Sequence, residues 1–176
     1  MQIFKDTKIE DVKIITPSVF KDSRGYFFES YNENLFNNNF KKIKFVQDNE
    51  SESKFGTLRG FHFQKHPHEQ SKLVRVIKGK IQDVAVDLRP ESATYKKYVS
   101  IILDDQSKEQ LFIPKGFAHA FLTLSDKAII SYKVDNFYSK EHDSGIKFDD
   151  PILDIKWELS KKDISLSEKD NNLSYF

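Results

Sequence analysis

Thr57-Leu58-Arg59-Gly60-Phe61-His62-Phe63-Gln64, then Lys65-His66-Pro67-His68-Glu69-Gln70, then Ser71-Lys72-Leu73-Val74-Arg75-Val76, is the stretch whose reading decides the fold. Two runs rich in β-branched and aromatic residues flank a polar segment with a proline, which is the signature of two strands joined by a loop. The pair is expected to form a hairpin. Three of the five histidines lie here, and Arg59, His62 and Lys72 sit within the apolar runs. A histidine on a strand beside fixed cations suits an anionic substrate that must lose a proton. The same charges on a surface hairpin would simply face water.

Working outward, the pattern stays short and β-like. Toward the N-terminus, Lys8–Ile15 reads as a first strand, broken by Pro17-Ser18. Asp22-Ser23-Arg24-Gly25 is turn chemistry, with Gly25 free to take positive φ, and Tyr26–Tyr31 reads as a strand after it. Asn32–Phe40 predicts one short helix capped by Asn32. Phe45–Asn49 predicts a short strand and Ser51–Lys54 a polar loop.

Beyond the central stretch, Lys78-Gly79 turns into Ile81–Leu88. There Gln82, Val84, Val86 and Leu88 share one face, and Asp83 and Asp87 the other. A carboxylate inside a strand either meets water or has a partner to hold. Tyr98–Leu103, Gln110–Pro114, Phe117–Leu124 and Ala128–Val134 predict further strands, with Phe117, His119, Phe121 and Thr123 on one face. Ser165–Asp170 reads as a helix start. About ten short strands with regular turns point to an all-β sandwich, jelly roll or barrel.

A chain of 176 residues is expected to form one domain over 1–176, and no linker or repeat divides it. The net charge of +1 predicts neither nucleic-acid nor membrane binding, so an anion site must come from local clustering. The absence of cysteine excludes disulfides, thiolate metal sites and a cysteine nucleophile, and fits a reducing cytoplasm. Met1–Asp6 carries no long apolar run, so no secretory signal is expected. No segment approaches the roughly 20 apolar residues of a spanning helix. The 16 phenylalanines favour pleated, half-buried surfaces.

Several stretches together resemble the dTDP-4-dehydrorhamnose 3,5-epimerase family, the cupin-like sugar-nucleotide epimerases. They are Phe20–Ser30, Phe45–Asn49, Leu58–Gln64, Lys72–Val76, Asp83–Arg89, Ile113–Phe121, Gly145–Pro151 and Leu166–Asp170. Phe61 and Phe63 depart from the leucine and tyrosine common in the family, and Phe63 removes a hydroxyl from that position. The resemblance implies a cupin-like double-stranded β-helix, a jelly-roll barrel with a few short helices. It also implies a homodimer in the cytoplasm, and no metal or organic cofactor.

The reaction it implies is proton transfer beside the 4-keto group of dTDP-4-dehydro-6-deoxy-D-glucose, giving dTDP-4-dehydro-L-rhamnose on the way to dTDP-L-rhamnose and the glycans built from it. The ketone acidifies the protons on C3 and C5. An epimerase needs a base on one side of the ring, an acid on the other and a donor for the enolate. His62 resembles the base, Asp170 its orienting carboxylate, Tyr132 the acid and Lys72 the enolate partner. Arg24, Glu29, Gln47, Asp48, Asn49, Arg59, His119, Asp143 and Lys169 resemble substrate contacts, and Tyr138 an aromatic that stacks on the base. In the family, the segment with Arg24 and Glu29 crosses from the other subunit. Asp83 is placed by strand position as a support for Lys72 or a histidine.

Each residue also has a plainer role open to it. His62 could be a bonded structural histidine, Tyr132 a core-edge phenol, Lys72 a solvated lysine, and Asp170 part of a helix cap with Ser167. Three rival functions remain: an epimerase acting at one carbon, one acting on another nucleotide-linked 4-keto sugar, and a metal-dependent or merely sugar-binding cupin. Metal-binding cupins show a His-x-His pair, and here His62-Phe63-Gln64 has glutamine in the second place. With His66 and His68 in the following loop, at most two ligands are well placed, where three are needed.

Overall fold

The computed structural model describes residues 2–40 and 43–176. Among these residues the strands are β1 (Ile3–Asp6), β2 (Lys13–Thr16), β3 (Phe20–Asp22), β4 (Gly25–Phe27), β5 (Gln47–Lys54), β6 (Leu58–Gln64) and β7 (Lys72–Lys78). They continue with β8 (Lys80–Asp87), β9 (Tyr98–Asp104), β10 (Gln110–Ile113), β11 (Phe117–Thr123), β12 (Lys127–Val134) and β13 (Asp143–Gly145). Two short helices, α1 (Glu33–Asn39) and α2 (Glu168–Asn171), and a 3₁₀ turn at Lys161–Asp163 complete the chain.

A six-stranded sheet in the order β1-β2-β10-β7-β12-β5 packs on a five-stranded sheet in the order β13-β6-β11-β8-β9. Every neighbouring pair runs antiparallel. From β6 to β8 and from β9 to β13, successive strands alternate between the two sheets, which is a jelly roll. β3 and β4 form a separate two-stranded ribbon.

Alternation along each strand sets the layers. Val74, Val76, Ile81, Ala85, Phe117, Phe121 and Ile130 meet between the sheets and form the main core. The opposite face of the five-stranded sheet, with Phe61, Val84, Val86 and Ala118, is covered by Ile146, Leu153 and Trp157 of the C-terminal segment. On the far side of the six-stranded sheet, Ile15, Leu73 and Phe112 take up Phe36 of α1, with Phe4, Phe40 and Phe45 around it. Ring contacts such as Phe36–Phe112 at 5.3 Å and Phe40–Phe112 at 4.2 Å each add about 0.5–1.5 kcal/mol beyond area burial. The phenylalanine richness thus fastens a helix to a sheet as well as filling strands.

Several expectations need correction. β6 and β7 are strands, but they do not pair. β6 bonds β11 and β13, and β7 bonds β10 and β12. β7–β8 and β10–β11 likewise turn from one sheet to the other. Local sequence marks a turn, whereas pairing depends on strands distant in the chain. Lys8–Ile15 is mostly turn, with Ile9 and Val12 buried as anchors and only Lys13–Thr16 extended. β1, lying before it, went unread. Ser51–Lys54 is strand, because β5 pairs with β12 along its full length. Tyr26–Tyr31 is strand only as far as Phe27. The helix and its cap stand as expected: Asn32 accepts from the Leu35 N–H. Gly25, at φ +129°, closes the ribbon turn.

Candidate active site

The interior turns polar where β5 begins and β12 ends. Along β7, Val76 and Val74 give way to Lys72; along β12, Ala128 and Ile130 give way to Tyr132. From the facing sheet come His62 on β6 and His119 on β11, directly opposite one another in the register. One continuous cavity has two lobes that share His62, Lys72, Tyr132 and Lys169. The inner lobe adds Arg59, His119, Phe121, Ser51 and Asp170. The outer lobe adds Gln47, Asn49, Phe63, Gln64, Gln70, Tyr138 and Asp143.

Arg59 and His62 are three residues apart, so a regular strand would send them to opposite faces. A bulge brings both inward: Phe121 of β11 sits opposite Arg59 and His119 opposite His62, three steps of β6 against two of β11. Gly60 makes this possible. At φ +125°, a Cβ there would lie 2.6 Å from both the Ala120 Cβ and the His119 carbonyl oxygen.

His62 Nε2 lies 2.6 Å from Asp170 Oδ1. Asp170 arrives on α2, whose first turn is closed by its own N–H donating to Ser167 Oγ. Both contacts foreseen for Asp170 are present, one made by its backbone and one by its carboxylate. Burial opposes ionisation of Asp170, but donation from His62, the Gly60 N–H and Ser167 outweighs it and holds the carboxyl below its usual range. An ionised carboxylate only accepts, so His62 donates its Nε2–H to Asp170, which leaves Nδ1 outside that bond.

Across the cavity, burial pushes the Tyr132 phenol up, with Arg59 pulling the other way, so Tyr132 remains a neutral donor. The Lys72 ammonium lies 6.0 Å from the Tyr132 ring centroid. Burial lowers Lys72 to about 8, against the pull of Asp83 and Asp143. Arg59 is anchored from β5, with Nε donating to Ser53 Oγ at 3.0 Å and a terminal nitrogen to the Glu52 carbonyl at 3.2 Å. His119 Nε2 lies 2.6 Å from Asp83 Oδ1, so Asp83 holds a histidine, the second of the two roles foreseen for it. It does not face water.

At the mouth, the Tyr138 hydroxyl and Lys169 both donate to Asp143 Oδ2. Gln47 and Asn49 join through a 2.8 Å bond. Three anticipated contacts stand outside this cavity. Asp48 points to the other face of β5 and pairs with Lys133 at 2.8 Å, because alternation separates it from Gln47 and Asn49. Arg24, with its side chain 88 % exposed, pairs with Asp22 on the ribbon. The Glu29 carboxylate is exposed and accepts from Asn32.

Ser51 and Gln70 border the cavity and went unread. Extending the expected strand from Asn49 to Lys54 would have put Ser51 on the face of Asn49, whereas nothing in the loop sequence marks Gln70. Among the described residues no three histidine, aspartate or glutamate side chains gather as metal ligands. The Gln64 amide is taken up by the backbone of His68, Phe137 and Ser139.

A jelly roll with paired histidines and carboxylates, a phenol and three cations around one cavity defines a cupin-like protein equipped for acid–base work on an anionic ligand. The family model for dTDP-4-dehydrorhamnose 3,5-epimerase matches residues 6–176. The dTDP-4-dehydrorhamnose 3,5-epimerase of Methanothermobacter thermautotrophicus is 50% identical over 170 residues, covering 96% of this chain and 91% of that one. A crystal structure of the Bacillus anthracis enzyme with TDP and PPi bound matches at TM-score 0.96 and 44% identity, over 100% of both chains. One from Legionella pneumophila, in complex with dTDP-4-keto-L-rhamnose, matches at TM-score 0.95 and 40% identity, over 99% of this chain and 93% of that one. The chain belongs to the dTDP-4-dehydrorhamnose 3,5-epimerase family.

Proposed function

We propose that this protein converts dTDP-4-dehydro-6-deoxy-D-glucose to dTDP-4-dehydro-L-rhamnose, in the cytoplasm and without metal or organic cofactor. As a member of its family it is an isomerase. The observation that carries the reading is that His62 and Tyr132 stand on facing sheets and border the same two lobes.

His62 Nδ1 takes the proton from C3 or C5. The C–H pair moves into the ring as an enolate, and the negative charge on the former ketone oxygen is met by Lys72. Tyr132 then gives its hydroxyl proton to the other side of the same carbon, and solvent restores both groups. Arg59 and Lys169 suit the diphosphate, Arg59 with a planar fork that a lysine lacks. Tyr138, exposed at the mouth beside Gln47 and Asn49, suits the base.

Incubation with the keto sugar in deuterium oxide is expected to put deuterium at two ring carbons. One labelled position would make it a single-carbon epimerase. Loss of activity on exhaustive chelation, with recovery on adding one divalent metal, would overturn the cofactor-free reading.

Lys72 sets an expected pH limit. The charged form meets the enolate, so kcat/KM should fall above about 8 as the ammonium loses its proton. Bound diphosphate and enolate favour the charged form, so the limb in kcat should lie higher. Lys72→Arg, which stays charged, should abolish the limb at reduced activity. A kcat/KM flat to pH 10 in the parent would refute this assignment.

The ribbon of β3 and β4 supports a homodimer. Phe20, Tyr26 and Phe27 are exposed there beside Arg24, an apolar surface suited to a second copy that would bring Arg24 and Glu29 to the partner's cavity. Arg24→Ala and His62→Ala proteins, each impaired, should regain activity when mixed and allowed to exchange subunits. In the hybrid, one cavity has both residues intact. No regain in a demonstrated hybrid would mean that Arg24 does not act across subunits.

A further inference from the structure

β8 aims two carboxylates into the barrel, and they are treated differently. Asp87 receives Arg89 Nε at 2.9 Å, a second Arg89 nitrogen at 2.8 Å, and the hydroxyls of Ser92 and Thr94 at 2.6 Å each. Burial works against its ionisation, but these donors hold it well below the usual carboxylate range. Asp83 is equally buried, yet among the described residues its one hydrogen bond is to His119, and Oδ2 has no partner. A buried carboxylate with half its acceptors empty is costly. Packing does not call for it, since Ile81 and Ala85 on the same face are apolar core.

What Asp83 faces supplies the reason. Around Lys72 stand Asp83 from β8, His119 from β11, Arg59 and His62 from β6, Tyr132 from β12, Asp143 from β13, and Lys169 and Asp170 from α2. β5 offers only the neutral Gln47, Asn49 and Ser51. Of the three carboxylates, Asp170 is committed to His62, and Asp143 to Lys169 and Tyr138. Of these three, only Asp83 has a buried oxygen with no partner among the described residues.

His119 forms a second histidine–carboxylate pair beside that of His62, but it is far more enclosed, with its side chain 7% exposed against 32%. Burial lowers its proton affinity, with Asp83 opposing and Lys72 and His62 adding to the effect, so it stays neutral. With Nε2–H donated to Asp83, its Nδ1 lone pair is left for the cavity.

We propose that Asp83 is a positioning residue: it fixes His119 as the Nε2–H tautomer, so that Nδ1 accepts from a sugar hydroxyl, and it supplies the fixed negative charge that keeps Lys72 protonated. This rests on the epimerase reading of the cavity. His119 is then a neutral acceptor for a hydroxyl and not a donor to phosphate.

Two measurements test it without relying on turnover. In the intact protein, ¹⁵N NMR at pH 7 should show His119 protonated at Nε2 only; protonation at Nδ1, alone or as imidazolium, overturns the proposal. The pH dependence of amine modification at Lys72, read by peptide mass, should show a midpoint about one unit lower in Asp83→Asn than in the parent. The alkaline limb of kcat/KM should move with it. Melting temperature should hold or rise, since a half-satisfied buried charge is removed. An unmoved Lys72 midpoint overturns the proposal. So does loss of exchange at one ring carbon with the limb in place, which would make His119 a base. If Asp83→Asn does not fold, the tautomer in the parent decides. Failure of the parent to epimerise would instead strike the function, leaving the tautomer and the lysine midpoint to judge Asp83.

Discussion

Replacing His62 with alanine is expected to lower epimerisation by about 10²–10⁴-fold, the usual contribution of a positioned general base. Deuterium uptake from solvent should fall in parallel, since both start from the same C–H cleavage. His62 is half-exposed and its ring lies outside the main core, so folding should be nearly unaffected. Asp170 should lose its main donor and become easier to protonate, a change confined to α2. Binding of the dTDP product should survive, because Arg59, Lys169 and the mouth remain. Epimerisation at the parental rate, or loss of exchange with no change in turnover, would exclude His62 as the base. His62→Gln and Asp170→Asn together should cost little more than either alone, as expected of groups that work as one unit.

The second large effect is expected from Tyr132→Phe. Removal of the hydroxyl leaves the ring, which packs against the main core, so stability should change little. Reprotonation from the Tyr132 side should stop, and epimerisation should drop by about 10²-fold or more. The two steps then separate. His62 can still remove a proton and return a deuteron to the side it came from, so exchange should outlast inversion. A ratio of exchange to inversion well above the parent's is the outcome that identifies Tyr132 as the acid. Equal loss of both would place Tyr132 on the proton-abstraction side of the ring.

The strands were legible where alternation and turn residues agreed, and β6, β8, β11 and β12 fall within a residue or two of the sequence reading. What failed was pairing. Gly79 and Pro114-Lys115-Gly116 signal turns equally well for a hairpin and for a crossing between sheets, and only strands distant in the chain decide between them: β10, β11 and β12 for β7 and β8, and β2, β6, β7 and β8 for β10 and β11. β5 was cut short at Asn49 because Glu50–Lys54 is polar on both faces. Its inward serines meet the cavity and Arg59 in place of the core, so hydrophobic periodicity vanishes there.

The site was legible by family motif and much less so by spacing. Nothing in Arg59-Gly60-Phe61-His62 announces the bulge that brings both Arg59 and His62 to the cavity. The pairing of His62 with a residue 108 positions away likewise leaves no local signature in the chain. Asp83 is the exception, since a carboxylate within the apolar run of β8 is conspicuous in the sequence itself.

The alternation of strands between the two sheets has a kinetic consequence. β5 waits for β12, β6 for β11 and β2 for β10, so few ladders can zip up from neighbouring segments, and loop closure across most of the chain must precede the reward of packing. Refolding from denaturant should be slow for a chain of this size, with unpaired edges exposed meanwhile, and yield should fall steeply as concentration rises.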